Sequence, residues 1–185
     1  MSLVKRLSLF FILVVLLGCQ PIRVGVIKSS ERGLVFTEYN ELTRVIDPGY
    51  YRLTSEEDKV VTISVAERRI AWWDDNLRTS DQIQYSMRVL IIYHRAYTAE
   101  DLVALWERYP AEVLDDLALD IFMSDLTAVA AKLAAATLNE QETFSLYGLE
   151  MLPVLITERL APVMEARGCV LESVGIQDMS KETIQ

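Results

Sequence analysis

Ile83, Tyr85, Met87, Val89, Ile91 and Tyr93 take every second position of an eleven-residue run, with Gln84, Ser86 and Arg88 in the gaps. Side chains alternate between the faces of a strand, so this spacing predicts a β-strand with one buried face. Any fold for this chain must bring a second layer against that face. The chain downstream supplies one, because the apolar period changes after Tyr93. Thr98-Ala99-Glu100-Asp101 resembles a capping box ahead of a helical run ending at Tyr109, and Pro110 suits the first turn of the next helix. Leu114, Leu117, Ile121, Phe122, Leu126, Val129 and Leu133 recur every three to five residues and read as the apolar stripe of a helix facing the core. Alanines between Ala128 and Ala136 favour helix intrinsically.

A break near Thr137-Leu138-Asn139 precedes a further helix, with Gly148 and Pro153 predicting a kink or split. Its core face is read as Leu152, Ile156, Leu160, Val163 and Met164, and Gly168 fits a left-handed C-terminal cap. Cys169 to Ile176 closes the domain as a strand with Val170, Val174 and Ile176 on one face. Upstream, strands are expected over Ile22–Ile27, Leu34–Tyr39, from Tyr50, and over Lys59–Val65. Turns are read at Lys28–Gly33, Asp47-Pro48-Gly49 and Asp74-Asp75-Asn76, and a break near 66–69 where apolar parity shifts to Ile70 and Trp72. Strands first, helices next and a returning strand predict an α+β domain: a mostly antiparallel N-terminal sheet, packed helices and a C-terminal strand.

The N-terminus reads differently. Lys5 and Arg6 precede an apolar run from Leu7 to Leu17 broken only by Ser8, too short to span a bilayer as a helix and suited to a secretory signal. Leu16-Leu17-Gly18-Cys19 resembles a bacterial lipobox, with Leu17 where a smaller residue is usual. That resemblance implies residues 1–18 are a signal peptide and 19–21 a lipidated N-terminus, with diacylglycerol and acyl chains such as palmitate on Cys19. The domain then spans 22–180, and 181–185 form a tail. A bacterial cell-envelope lipoprotein facing the periplasm follows, with Gln20 directing it to the outer membrane where the enteric sorting rule applies.

Removing residues 1–18 takes away Lys5 and Arg6 and no acid, so the formal charge moves from −9 to −11. Such a chain has no electrostatic attraction for nucleic acid or anionic lipid, leaving membrane contact to the acyl chains. With Cys19 acylated, only Cys169 remains; flanked by Val170 and Leu171, it reads as a buried structural thiol.

Four stretches together resemble one family. They are Asp47-Pro48-Gly49-Tyr50; Asn76 to Asp81 running into the strand that ends Tyr93-His94-Arg95; Ala131 to Glu140 at a helix–helix junction; and Leu160 to Met179, where a helix, Gly168 and a strand with Ile176-Gln177-Asp178 follow one another. Their order is similar to the SPFH, or band 7, domain of stomatins, prohibitins, flotillins and the HflK-HflC proteins. Family members usually continue into a long coiled coil, where this sequence stops at Gln185, and usually begin with a membrane-inserted segment, where this one has the lipobox. These departures bear on large closed assemblies rather than on the fold. The resemblance implies a self-associating scaffold and a membrane protein or protease as partner, with a link to membrane-protein quality control.

Enzymatic chemistry finds little support in the residues. His94 is the sole histidine and lies opposite in parity to the apolar face of its strand, so it is expected at the surface. No phosphate loop or metal-spaced Cys/His cluster occurs, and no cofactor is expected. Asp115, Asp116, Asp120 and Asp125 read as a solvated acidic helix face. Trp72 and Trp73 point to opposite sides of a strand, one for the core and the other for a contact, and Trp73 is the candidate partner anchor. The expected function is a membrane-tethered scaffold; the alternative is a monomeric lipoprotein holding a small molecule or lipid in a sheet–helix cleft.

Overall fold

A computed structural model describes residues 23–181. The chain divides into two compact units, Met1–Thr62 and Ile63–Gln185. The expected signal segment, Cys19 and Gln20 lie outside the described residues.

The first unit is all β. Strands β1 (Val24–Ile27) and β4 (Gly49–Arg52) form an antiparallel pair. Strands β2 (Glu31–Phe36), β3 (Leu42–Ile46) and β5 (Lys59–Ser64) form a sheet in the order β3-β2-β5. Thr37 makes the β2–β3 turn by accepting the Tyr39 and Glu41 N–H groups on its hydroxyl, while Asn40 takes the left-handed conformation it tolerates better than most residues. Ile27, Val35 and Ile46 form the small core, with Tyr51, Leu53 and Val60 against it. The expected turn over Lys28–Gly33 is shorter than read, because Glu31, Arg32 and Gly33 already belong to β2. Strand β3 was not anticipated; Thr43 and Arg44 interrupt its apolar residues.

The second unit holds the long strands. Strands β6 (Arg68–Arg78), β7 (Gln84–Arg95) and β8 (Cys169–Lys181) form an antiparallel sheet with β7 central. Between β7 and β8 run α1 (Ala99–Arg108), α2 (Pro110–Leu114), α3 (Asp116–Ala135), α4 (Glu140–Thr143) and α5 (Leu146–Ala166). Thr98, Asp115, Asn139 and Ser145 cap α1, α3, α4 and α5 by accepting N–H groups of the first turn, as hydroxyl, carboxylate and amide side chains do at helix starts. Helices α3 and α5 cover the face of β7 that carries Tyr85, Met87, Val89, Ile91 and Tyr93, all buried, so the alternation read from sequence marks the core. Gly168, at φ +61°, ends the helical layer and its carbonyl accepts the Ala96 N–H. The α+β class and the coarse order, strands, then helices, then a returning strand, are as expected.

Several local readings change. Asp74-Asp75-Asn76 is a bulge inside β6, with Asp74 accepting the Asn76 N–H, and the turn comes after Arg78. Helix α5 is continuous through Pro153 and Pro162. Val163 is exposed, one position off the buried Leu152, Ile156, Leu160 and Met164. Val170 also faces out, because the pairing of β8 with β7 shifts between Ser173 and Leu171 and reverses the parity of the strand. Of the expected stripe, Phe122 and Leu126 pack against the core, whereas Leu114 and, on the outward side of α3, Leu117, Ile121, Val129 and Leu133 are exposed; the buried side of α3 is Leu119, Met123, Thr127, Ala130, Ala131 and Ala134.

Candidate interaction surface

The helices are fixed on the sheet by an arginine network at one end of β6 and β7. Arg68, at the start of β6, sends Nε and Nη2 to the two carboxylate oxygens of Asp120 (2.9 and 2.5 Å) and Nη1 to Asp116 (2.7 Å). Arg95, at the end of β7 and 1% exposed, donates to Asp116 Oδ1 (2.5 Å), the Ser64 carbonyl (2.9 Å) and the Glu112 carbonyl (3.0 Å). The Tyr93 hydroxyl donates to Asp120 Oδ1 at 2.6 Å. Arg167 pairs with Glu112 at 2.8 Å and stacks on the rings of Tyr109 and Phe122.

The hydrogen bond from Arg68 holds the Asp120 carboxyl below its ordinary range, and Asp120 in turn raises the Arg68 pKa. Burial, reinforced by Asp120, raises that of Tyr93. Two of the four helical aspartates are therefore consumed by the buried Arg95 and the partly buried Arg68, and Asp115 is a cap. The expected solvated acidic face is left with Asp125 alone, exposed and without an ion pair among the described residues. The network was missed because its members lie far apart in sequence. The available signal was an arginine at each adjoining end of two antiparallel strands, with Asp116 and Asp120 one helical turn apart.

His94 is corrected. It is 3% exposed, with Nε2 2.8 Å from Glu172 Oε1, Nδ1 2.6 Å from the Arg95 carbonyl oxygen, and Tyr97 stacked on its ring. Strand parity placed it correctly on the sheet's second face, but Tyr97 covers it there. Cys169 is buried, and burial pushes its thiol up to about 11, away from the reactive thiolate. Among the described residues no group of three or more His, Cys, Asp or Glu is placed to hold a metal ion, and no helix is long and apolar enough to cross a membrane.

Two of the exposed surfaces of this unit are regular, while others lie along α5, where Leu146, Tyr147, Leu149 and Val154 are exposed. The first is the outer face of the sheet. The register sets Trp73 opposite Arg88 and Arg88 opposite Asp178, with Ala71, Leu90 and Gly175 in the next row. Trp73 is 56% exposed there, while Trp72 packs against the core, as the alternation of the strand requires. The second is the outward ridge of α3. An open basin of about 1120 Å³ lies on the first unit, between Arg23, Tyr39, Arg52 and the Thr54–Asp58 loop. There Glu57 accepts from Arg44 (2.5 and 3.0 Å) and from the Thr54 N–H (2.7 Å), which lowers its pKa to about 2, the Arg44 bond contributing most. The centre of the sheet–helix seam is filled by buried side chains, and an open groove of about 350 Å³ lies at its edge between Phe144, Leu149 and the Ile176–Met179 stretch of β8.

A strand-rich unit and a three-stranded sheet backed by helices, with apolar side chains exposed on the sheet and on α3, make up an α+β domain. The sequence matches the family model of the SPFH domain / Band 7 family over residues 25–185, and the chain belongs to that family. Two of the stretches carrying the resemblance touch in the fold: the Ser80 N–H donates to the Leu138 carbonyl and the Glu140 N–H to Asp81 Oδ1. Members are membrane-associated and, in general, non-enzymatic scaffolds. No curated protein matches the sequence.

Proposed function

We propose that this protein is a non-enzymatic scaffold, tethered to the bacterial envelope by lipid on Cys19 and facing the periplasm. There it self-associates and organises or regulates membrane proteins, membrane-protein quality control among its roles. Family membership supports the scaffold class, and the outer face of the sheet carries the reading of self-association. That face joins an exposed tryptophan to apolar neighbours and bears charges of both signs, Arg88 and Asp178. A face with both signs can pair cation to anion on a neighbouring copy, and a head-to-tail contact of this kind continues from copy to copy. Tethering confines copies to one plane and raises their effective concentration, so a small patch suffices.

The test is chemical crosslinking of the native protein in its own membrane, sized under denaturing conditions. A multi-subunit ladder that shortens in Trp73→Ser is expected. A monomer with one discrete foreign adduct would replace self-association with an adaptor role. Equal retention of wild-type and Cys19→Ala protein on salt-washed membranes would remove the lipid anchor. The alternative of a ligand cleft between sheet and helices loses ground because the centre of that seam is closely packed and only an open groove lies at its edge.

A further inference from the structure

Helix α3 carries large apolar side chains on its outward side as well as its inner one, and a helix apolar on two sides is ordinarily covered on both. The unit covers the side that holds Leu119, Met123, Thr127 and the alanines, with Phe122 and Leu126 partly buried at its flank. Leu117, Ile121, Val129 and Leu133, each between 54 and 65% exposed, lie on the outward side at intervals of four with Asp125 in the vacant middle position. This is an i±4 ridge about 24 Å long, the element that interlocks with a second helix in the commonest class of helix packing. Its centre is anionic and, among the described residues, has no ion pair, whereas Asp116 and Asp120 of the same helix are both held by arginine. Lys132, the one cation on the helix, is engaged by Asp74 at 3.1 Å.

We propose that this ridge docks an amphipathic helix of a partner protein that carries a single Arg or Lys in the middle of its apolar stripe. The charge decides between occupants. Two copies of α3 crossing at their centres would oppose Asp125 to Asp125 in an apolar, desolvating contact, where like charges are strongly unfavourable. A partner cation at that point satisfies the carboxylate, and arginine suits it best because its planar fork binds both oxygens. The apolar residues on either side exclude water from the pair. The inference names the partner surface of the scaffold proposed above, yet it uses a different face from the one assigned to self-association, so the two can fail separately.

The test uses the full lipidated chain in nanodiscs of phosphatidylcholine, with empty nanodiscs as the blank. The probes are two fluorescein-labelled, hydrocarbon-stapled eighteen-residue helices with leucine on one face and either Arg or Glu at its centre. Fluorescence anisotropy should show the Arg probe binding roughly tenfold more tightly than the Glu probe, with the preference reversed in Asp125→Arg. Val129→Glu should abolish binding of the Arg probe. Equal affinity for both probes, or a preference unchanged in Asp125→Arg, overturns the proposal. So does loss of the crosslinked ladder in Asp125→Arg, which would give the ridge to a second copy. A missing wild-type ladder alongside a charge preference that reverses supports the partner site and removes self-association alone.

Discussion

Asp116→Ala is the most demanding test of how the helices are held. Arg95 is buried with three acceptors, and the Asp116 carboxylate is the only charged one. Removing one member of a fully buried ion pair costs about 3–5 kcal/mol, because the remaining charge is left uncompensated. The Asp116 side chain is 47% exposed, so water reaches the vacated site, and Arg68 keeps Asp120. The loss should therefore be about 2–3 kcal/mol, which at a urea m-value of ~2 kcal/mol/M lowers the midpoint by about 1–1.5 M. The assay is intrinsic fluorescence, since Trp72, Trp73 and Trp106 all belong to the second unit and report its unfolding. Arg95→Met in the Asp116→Ala background removes the orphaned charge and should recover at least half the loss. A midpoint within ~0.3 M of wild type for Asp116→Ala, or a double variant less stable than Asp116→Ala, would refute the reasoning.

Two further outcomes follow from geometry. Gly148→Ala should destabilise by about 1–3 kcal/mol in urea titration, although alanine favours helix by ~1 kcal/mol, because its Cβ would stand 2.3 Å from the Thr143 carbonyl oxygen and 2.4 Å from that of Glu142; a stabilised variant would contradict that contact. Glu57 is lowered to about 2, so the stability it gives the first unit is complete above its unfolded pKa near 4.5 and is lost as pH falls toward 2. Amide-exchange protection in β2 and β3 should fall across that window and become flatter with pH in Glu57→Gln.

The sequence was most legible where one physical rule acts alone. Strand β7 is half-buried along its length, so its alternation survives, and the caps at Thr98 and Gly168 depend only on their own turns. Legibility failed where two demands met. Helix α3 approaches the sheet through Ala130, Ala131, Ala134 and Ala135, and small side chains carry little hydrophobic weight in a pattern. The larger leucines, isoleucine and valine therefore drew the reading to the opposite face. The bulge at Asp74–Asn76 looks like a turn because three polar residues in succession serve either purpose. The burial of His94 depends on Tyr97 stacking over it, and Arg68 meets Asp120 across 52 residues; neither leaves a local trace. The exposure of Trp73 was legible because adjacent strand residues must diverge.

That misreading separates what holds α3 from what α3 displays. Its inner side rests on alanines against the sheet and on Asp116 and Asp120 clamped by arginines, so the outward side chains contribute little to keeping the helix in place. Leu117→Ser and Ile121→Ser should then each shift stability by no more than about 0.5 kcal/mol, as surface changes remote from packing do, with a small debit for helix propensity. The same two changes strip the ridge of half its apolar residues and should abolish binding of the Arg-centred helix. A loss of 2 kcal/mol or more in the urea midpoint would mean that the ridge belongs to the fold and that its exposure is no sign of a partner. Unchanged stability with lost binding would mean that four large apolar side chains stand in water at no benefit to the isolated domain, which leaves recognition as their physical use.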